Sequence, residues 1–306
     1  MSTMTREFEG ISTFMRSPLS EIKNDIDIGF IGVTFDLGTT SSPGTRLGPK
    51  SLRDISTKFG KPNFNKIKPF ELCKIADLGD VPFESFFDIE KAHNEIYNYY
   101  RKLKKSNIIP ITAGGDHSIT HPILKALGEE QPLALIHFDS HCDTYGELGK
   151  SNFHHGAPFK NAVLDNSIDP KSTVQVGIRG SAEELWDFSY KSGMHVFHIE
   201  ECYDIGIDTL ISKIRAVVKD KPTYLSFDID AVDPAFAPGT GTPEVGGFTS
   251  LEAIKLIRGC RGLNIVGADL VEVSPILDHG HTTSLLGANL MYEMLCIIAE
   301  SKKNNL

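Results

Sequence analysis

The stretch Leu133-Ala-Leu-Ile-His-Phe-Asp-Ser-His-Cys-Asp143 constrains the fold more than any other. An apolar, β-favouring run leads straight into Asp139-x-His141-x-Asp143. A backbone still extended there puts residues i, i+2 and i+4 on one face, so three potential metal ligands converge at the end of a strand. Tyr224-Leu-Ser-Phe227 runs into Asp228-x-Asp230 in the same way, and Ile108-Ile-Pro-Ile-Thr112 runs into Gly114-Gly-Asp-His-Ser118. Three strands that each end in carboxylate or imidazole predict a metal site at one edge of a sheet.

Around these motifs strand and helix patterns alternate to the end of the chain. Strands are expected at 27–33, 72–77, 108–112, 133–138, 173–178, 195–199, 223–227 and 264–273, and helices at 51–58, 89–104, 119–127, 183–191, 208–218, 250–258 and 282–299. That rhythm implies an α/β fold, three-layer α/β/α, with a mainly parallel, roughly eight-stranded sheet. No linker-like composition interrupts it, so the 306 residues read as a single domain, with 1–25 as an irregular arm whose Phe8, Ile11, Phe14 and Met15 pack on the domain or a neighbour. Every candidate ligand falls beyond the carboxyl end of a strand, where ligands gather in parallel sheets.

Bulk properties exclude several classes. The net charge of −9, with 40 acidic against 31 basic residues and no basic stripe, argues against nucleic acid. Five scattered cysteines without a CxxC pair point to reduced thiols and a cytoplasmic setting. The N-terminus has no signal-peptide core, and no apolar run is expected to reach membrane-spanning length. The small-residue loop 36–49 fits neither phosphate-loop pattern and reads as a structural turn. His93, inside a predicted helix, reads as a packing residue.

The candidate ligands are His117, Asp139, His141, Asp143, Asp228 and Asp230. Four ionised carboxylates packed together repel one another, and two divalent cations balance them. An oxygen-rich set with a minority of imidazole suits Mn²⁺, with Ni²⁺ as the alternative. Cys142 should point away from Asp139, His141 and Asp143 by alternation. His137 shares the parity of Asp139 and is either a seventh ligand or, being deeper in the strand, a buried partner of the ligands; the second is favoured.

On these residues the chain resembles the ureohydrolases, the arginase–agmatinase family, over nearly its whole length. Gly-Gly-Asp-His-Ser (114–118), Asp-Ser-His-Cys-Asp (139–143) and Ser-Phe-Asp-Ile-Asp-Ala-Val-Asp-Pro (226–234) are similar to the family's three metal motifs. Pro-Gly-Thr-Gly-Thr-Pro-Glu-Val-Gly-Gly (238–247), Glu-Val-Ser-Pro (272–275) and Gly10-Ile-Ser-Thr-Phe-Met-Arg16 match as well. The resemblance implies one metal on His117 and Asp143, a second on His141 and Asp230, and Asp139 and Asp228 bridging both. It gives His155 the role of a mobile proton shuttle, leaves His154 incidental, and gives Glu272 the role of receiving the guanidinium. It also implies a homo-oligomer, a trimer or hexamer.

The chemistry implied is hydrolysis of a guanidino group to urea and an amine. Guanidinium is resonance-stabilised and always charged, so it must be held in a fork and attacked by an activated water, and the departing amine needs a proton. Arginases carry acids after the arginine that matches Arg179, where this chain has Gly180-Ser181-Ala182. Agmatine, giving putrescine in polyamine biosynthesis, is therefore the expected substrate. Guanidinobutyrate or guanidinopropionate is the alternative, ahead of arginine, free guanidine or a non-catalytic guanidine- or polyamine-binding role. A single-zinc amide hydrolase of the same general fold would need fewer carboxylates. Tyr145, Asn152, Phe153 and the 277–283 loop with His279, His281 and Thr282 are expected to wall the pocket. His279-x-His281 reads as pocket-shaping rather than as a third metal site. Asp233 is expected to shape a turn, and Arg46 and Arg179 to be structural ion-pair partners.

Overall fold

In the computed structural model, residues 10–59, 66–180 and 185–304 are described. Eight strands form one sheet: β1 (Ile28–Gly32), β2 (Ile75–Asp80), β3 (Ile109–Ala113), β4 (Leu133–Phe138), β5 (Ile168–Ile178), β6 (His195–His198), β7 (Thr223–Asp228) and β8 (Ile265–Val271). Their order is β2-β1-β3-β8-β7-β4-β5-β6, and every pairing is parallel. β1, β4 and β7 are buried along their whole length, as strands covered on both faces must be.

Two apolar cores lie on the two faces. On one, Phe138, Phe227 and Leu270 pack with Leu210 of α8 (Ile207–Val218), Leu256 of α9 (Ser250–Gly259) and Leu290 of α10 (Thr282–Asn304). On the other, Leu135, Tyr224 and Val271 pack with Ile96 of α3 (Ile89–Lys105), Ile123 of α4 (Thr120–Leu127) and Phe159 of α5 (Pro158–Leu164). The expected three layers are present.

Several local expectations shift. The strand expected at 72–77 starts at Ile75, because Pro69 opens a short helix, α2 (Pro69–Leu72), just before it. Besides α2, two helices were not foreseen: α5, begun by Pro158, and α7 (Ile199–Ile205), which ends at Gly206 with φ 77. Both are only 7 residues long, too short to display a helical repeat. The helix expected from 183 runs as α6 (Asp187–Ser192); 183 and 184 lie outside the described residues. α1 (Gly48–Ser56) begins earlier than expected, with Pro49 in its first turn.

α10 departs from the expectation that no apolar run reaches spanning length. It is long and apolar enough by composition, but 83% of its most apolar window is buried inside the protein. A helix that is apolar all round is a core helix when the sheet and its neighbours cover it. In the N-terminal arm Phe14 and Met15 are buried and Phe14 N–H donates to the buried Asp77 carboxylate, whereas Ile11 is exposed; Phe8 lies outside the described residues.

Strand order positions the site. β8 and β7 are inserted between β3 and β4. The loops after β3, β8, β7 and β4, far apart in sequence, therefore share one edge, the place where such sheets bind ligands. The turn after β3 allows no side chain at Gly115, where a Cβ would sit 1.7 Å from the carbonyl oxygen of Phe35. Gly115→Ala is expected to push the Asp116–His117 turn off Phe35 and lower unfolding stability by about 1–3 kcal/mol. Gly146→Ala, whose Cβ would meet only the tip of Lys160 at 3.3 Å, should stay within about 0.5 kcal/mol. Urea unfolding midpoints of the two variants check this.

Candidate metal centre

The site is built from three turns of one design. Asp116, Asp139 and Asp228 each follow or end a strand, and each accepts the backbone N–H two residues on: Ser118 N at 2.9 Å, His141 N at 2.6 Å and Asp230 N at 2.9 Å. An aspartate that caps its own turn in this way bends the chain immediately. The extended backbone expected through 139–143 is therefore absent. β4 stops at Phe138, Asp143 has φ 50, and residues Ile229–Ala231 form a 3-10 turn. The ligands converge through capped turns, not through strand alternation.

They do converge. His117 Nδ1 lies 3.2 Å from Asp139 Oδ2, 3.0 Å from Asp143 Oδ2 and 3.2 Å from Asp228 Oδ2. His141 Nδ1 lies 3.1 Å from Asp230 Oδ2 and 3.5 Å from Asp139 Oδ1. Asp139 thus faces both imidazoles, one oxygen to each. Asp228 turns Oδ2 to the His117 group and spends Oδ1 on Asp230 N–H. Ser140 donates its backbone N–H and its hydroxyl to Asp230 Oδ1 at 3.0 and 2.8 Å, so Oδ2 is the oxygen left for a ligand.

These residues fit two cations. His117 Nδ1 and Asp230 Oδ2 are buried and have no hydrogen-bond partner. Without cations, protons are the only counter-charges the cluster supplies. Burial opposes a charged His117, yet Asp139, Asp143 and Asp228 together hold its pKa well above the usual histidine value. Against the same burial, Asp230 and Asp139 hold His141 at about 12. Burial and the charges of Asp230 and Asp139 push Asp228 well above the carboxylate range. A divalent ion on each imidazole would replace those protons.

His137 is a partner of the ligands. Gln175 Nε2 donates to Cys142 O at 2.5 Å and faces His137 Nδ1 at 3.1 Å. An amide nitrogen can only donate, so Nδ1 accepts, and His137 Nε2–H donates to Asp139 Oδ2 at 2.7 Å. Cys142 is buried, and burial pushes its thiol up to about 12, so it stays protonated.

Above the ligands Glu272 has φ 62, a left-handed conformation rare for a side chain of this size and frequent at functional sites. Its carboxylate is buried beside the His117 turn. Oε1 accepts His117 N–H at 2.8 Å and faces His155 Nδ1 at 3.0 Å, while Oε2 is buried and unpartnered. His155 Nε2 meets Thr40 Oγ1 at 2.7 Å. Burial lowers the pKa of His155, but the bond to Glu272 and its charge outweigh it and raise the imidazole to about 9.

A cleft open to solvent reaches this edge past Thr40, Tyr145, Leu148, Trp186 and Thr242. Tyr145 lies on its wall as expected, and His154 lines it too, with Nε2 on Gly146 O at 2.8 Å. Asn152 and His279 do not line it. Asn152 is exposed, with its carbonyl on Asn161, and His279 and His281 are exposed in a loop whose Asp278 caps α10 through Thr283 N and Ser284 N. Phe153 packs edge-on against His93, a core histidine whose burial lowers its pKa to about 3. Asp233 shapes a turn by accepting Ala235, Gly246 and Gly247 N–H, and Arg46 pairs with Asp36. Arg179 differs from expectation: its guanidinium donates to the backbone carbonyls of Gly177, Asp230, Ala231, Glu244 and Val245, fixing the chain that carries Asp230. Thr40, Gln175 and Arg179 act through contacts that sequence spacing does not display.

The sequence model of the arginase family matches residues 26–296. The chain is 45% identical to guanidinopropionase of Pseudomonas aeruginosa, covering 96% of this chain and 93% of that protein. It is 42% identical to a mitochondrial agmatinase of Gallus gallus, covering 94% and 86%. Proclavaminate amidino hydrolase of Streptomyces clavuligerus superposes with a TM-score of 0.94 at 36% identity, covering 97% of this chain and 100% of the other.

Chelation tests the cluster. Cations that bind only the folded chain stabilise it by about 2.7 kcal/mol per site at a hundredfold excess over Kd. Dialysis against a chelator is expected to lower the melting temperature, and added Mn²⁺ to restore it; an unchanged melt would show that these residues hold no ion.

Proposed function

This chain belongs to the arginase family and is a hydrolase of guanidino C–N bonds, and we propose that its substrate is a short ω-guanidino acid, cleaved to urea and an amino acid. The observation that carries this reading is the chemistry of the cleft. Beyond the candidate ligands and the histidines, its described wall offers the hydroxyls of Thr40, Thr144, Tyr145 and Thr242 with Cys142, Leu148, Gly156, Leu185 and Trp186, and among the described residues no carboxylate other than Asp143 and Asp228 lines it. Hydroxyls can donate to a distal carboxylate. The 45% identity to a guanidinopropionase supports the same class.

His117, Asp139, His141, Asp143, Asp228 and Asp230 would hold two ions, Mn²⁺ by their oxygen-rich character, with Ni²⁺ as the alternative. When bound, such ions make a water acidic enough to attack near neutral pH. The protein supplies the rest. Glu272 presents Oε2, free and buried, to the guanidinium and holds it by charge-assisted hydrogen bonds. His155, 3.0 Å away, holds its proton at neutral pH and delivers it to the departing amine nitrogen. Thr40 steadies the far side of the ring.

Agmatine, expected from the sequence, is the second reading, and one observation favours it. Glu244 Oε1 lies 3.9 Å from His141 Nε2. Its carboxylate suits a distal ammonium. With either substrate the protein acts as a cytoplasmic homo-oligomer, a trimer or hexamer, on a small molecule, with no nucleic-acid or membrane partner.

A urea-release assay on Mn²⁺-loaded protein decides between them, using guanidinopropionate, guanidinobutyrate, agmatine, arginine and guanidine. A guanidino acid should have the highest kcat/KM; agmatine far ahead would replace the substrate and keep the mechanism. His155→Ala should lower kcat by about 10²–10⁴ with a smaller change in KM. Because the folded His155 keeps its proton up to about pH 9, the wild-type kcat/KM should fall as pH rises through about 9, and this limb should vanish in His155→Ala.

A further inference from the structure

One register row below the metal ligands, five buried polar residues lie side by side across five adjacent strands. They are Thr112 on β3, Asp269 on β8, Ser226 on β7, His137 on β4 and Gln175 on β5, each paired with the next. All five are 0% exposed. Gln175 and His137 act on Asp139, as described above. The other half of the row carries a buried aspartate that the proposed mechanism does not use.

Asp269 has no cationic partner among the described residues. It accepts hydroxyl protons instead: Ser226 Oγ at 2.7 Å on Oδ1, and Thr120 Oγ1 at 2.7 Å and Tyr224 OH at 2.9 Å on Oδ2. Gly267 makes room for the Tyr224 ring, since a Cβ there would lie 2.9 Å from it. A carboxylate kept in the interior on hydroxyl donors alone is costly and calls for a role.

The role follows from proton counting. A serine hydroxyl has one hydrogen, and that of Ser226 is committed to Asp269. Ser226 Oγ also lies 2.9 Å from His117 Nε2, and towards that nitrogen it can only accept. His117 must therefore carry a proton on Nε2, so Nδ1, which faces Asp139, Asp143 and Asp228, is the nitrogen an ion would take. We propose that Asp269 is a positioning residue which, through Ser226, fixes the His117 tautomer and so builds one of the two ion sites. Its side chain touches neither substrate nor ion. The inference rests on the two-ion reading of the centre.

The experiment is Mn²⁺ binding to the full chain, read as ions per subunit by elemental analysis, as Kd by titration, and as a coupled pair or single ion by electron paramagnetic resonance. The variants are Asp269→Asn, Ser226→Ala, Tyr224→Phe and Thr120→Val. Wild type should bind two ions. Asp269→Asn and Ser226→Ala should keep one ion tightly, lose about 10–100-fold in affinity for the other, and show a single-ion signal. Tyr224→Phe and Thr120→Val remove donors to Asp269 that do not reach His117. They should lower the melting temperature and still bind two ions with wild-type affinity.

Two tightly bound ions in folded Asp269→Asn would overturn the proposal. Ser226→Ala decides in the same way if Asp269→Asn does not fold. Equal metal loss in all four variants would also overturn it, because it would reduce Asp269 to a packing role. Fewer than two ions in wild type would instead bring down the two-ion reading beneath it, a failure visible before any variant is compared.

Discussion

Four aspartate side chains, none more than 9% exposed, are held within 3.5 Å of two imidazole nitrogens. Such a cluster cannot stay ionised in a dry interior without counter-charge. Much of the surrounding structure manages that condition. Ser140, His137 and the backbone N–H groups of His141 and Asp230 each occupy or orient a carboxylate oxygen, so the remaining oxygens and the Nδ1 atoms of both histidines face inward. Strain is accepted in the same place. Asp143 and Glu272 both take positive φ, and the cost of such a conformation is borne only where the surroundings leave the chain no alternative.

The turn aspartates do two jobs with two oxygens. In Asp139 and Asp228 one oxygen caps the turn that ends the strand and the other faces the imidazole of His117. Ending the strand and making the ligand site are one event, which is why the motifs are so short. The same economy explains Glu272: Oε1 ties together the His117 turn and His155, and Oε2 is left buried without a partner.

Much of this was visible beforehand. Apolar runs ending in Asp and His located β3, β4, β7 and the cluster of candidate ligands, because parallel strands are buried on both faces and their ends are where polarity begins. The helices that escaped notice, α2, α5 and α7, are too short to show a period. Asp269 had a weak signal, an aspartate inside the apolar strand Ile265–Val271, but nothing in that strand says which hydroxyls surround it.

The sequence by itself determined the alternating α/β architecture and singled out the six metal-binding candidates with His155 and Glu272. The architecture and the six candidates rest on local periodicity and spacing, which the chain carries without folding, whereas His155 and Glu272 rest on motifs whose roles the family resemblance implies. Only the tertiary structure decided how those residues meet. Capped turns replaced extended backbone at 139–143, and the insertion of β8 and β7 between β3 and β4 brought Glu272 and Asp228 beside His117. It also settled that His137 is held by Gln175, and that Arg179 grips carbonyls instead of acids. Those outcomes depend on strand order and on which hydrogen a neighbour has left to give, and both are properties of residues brought together from distant parts of the chain.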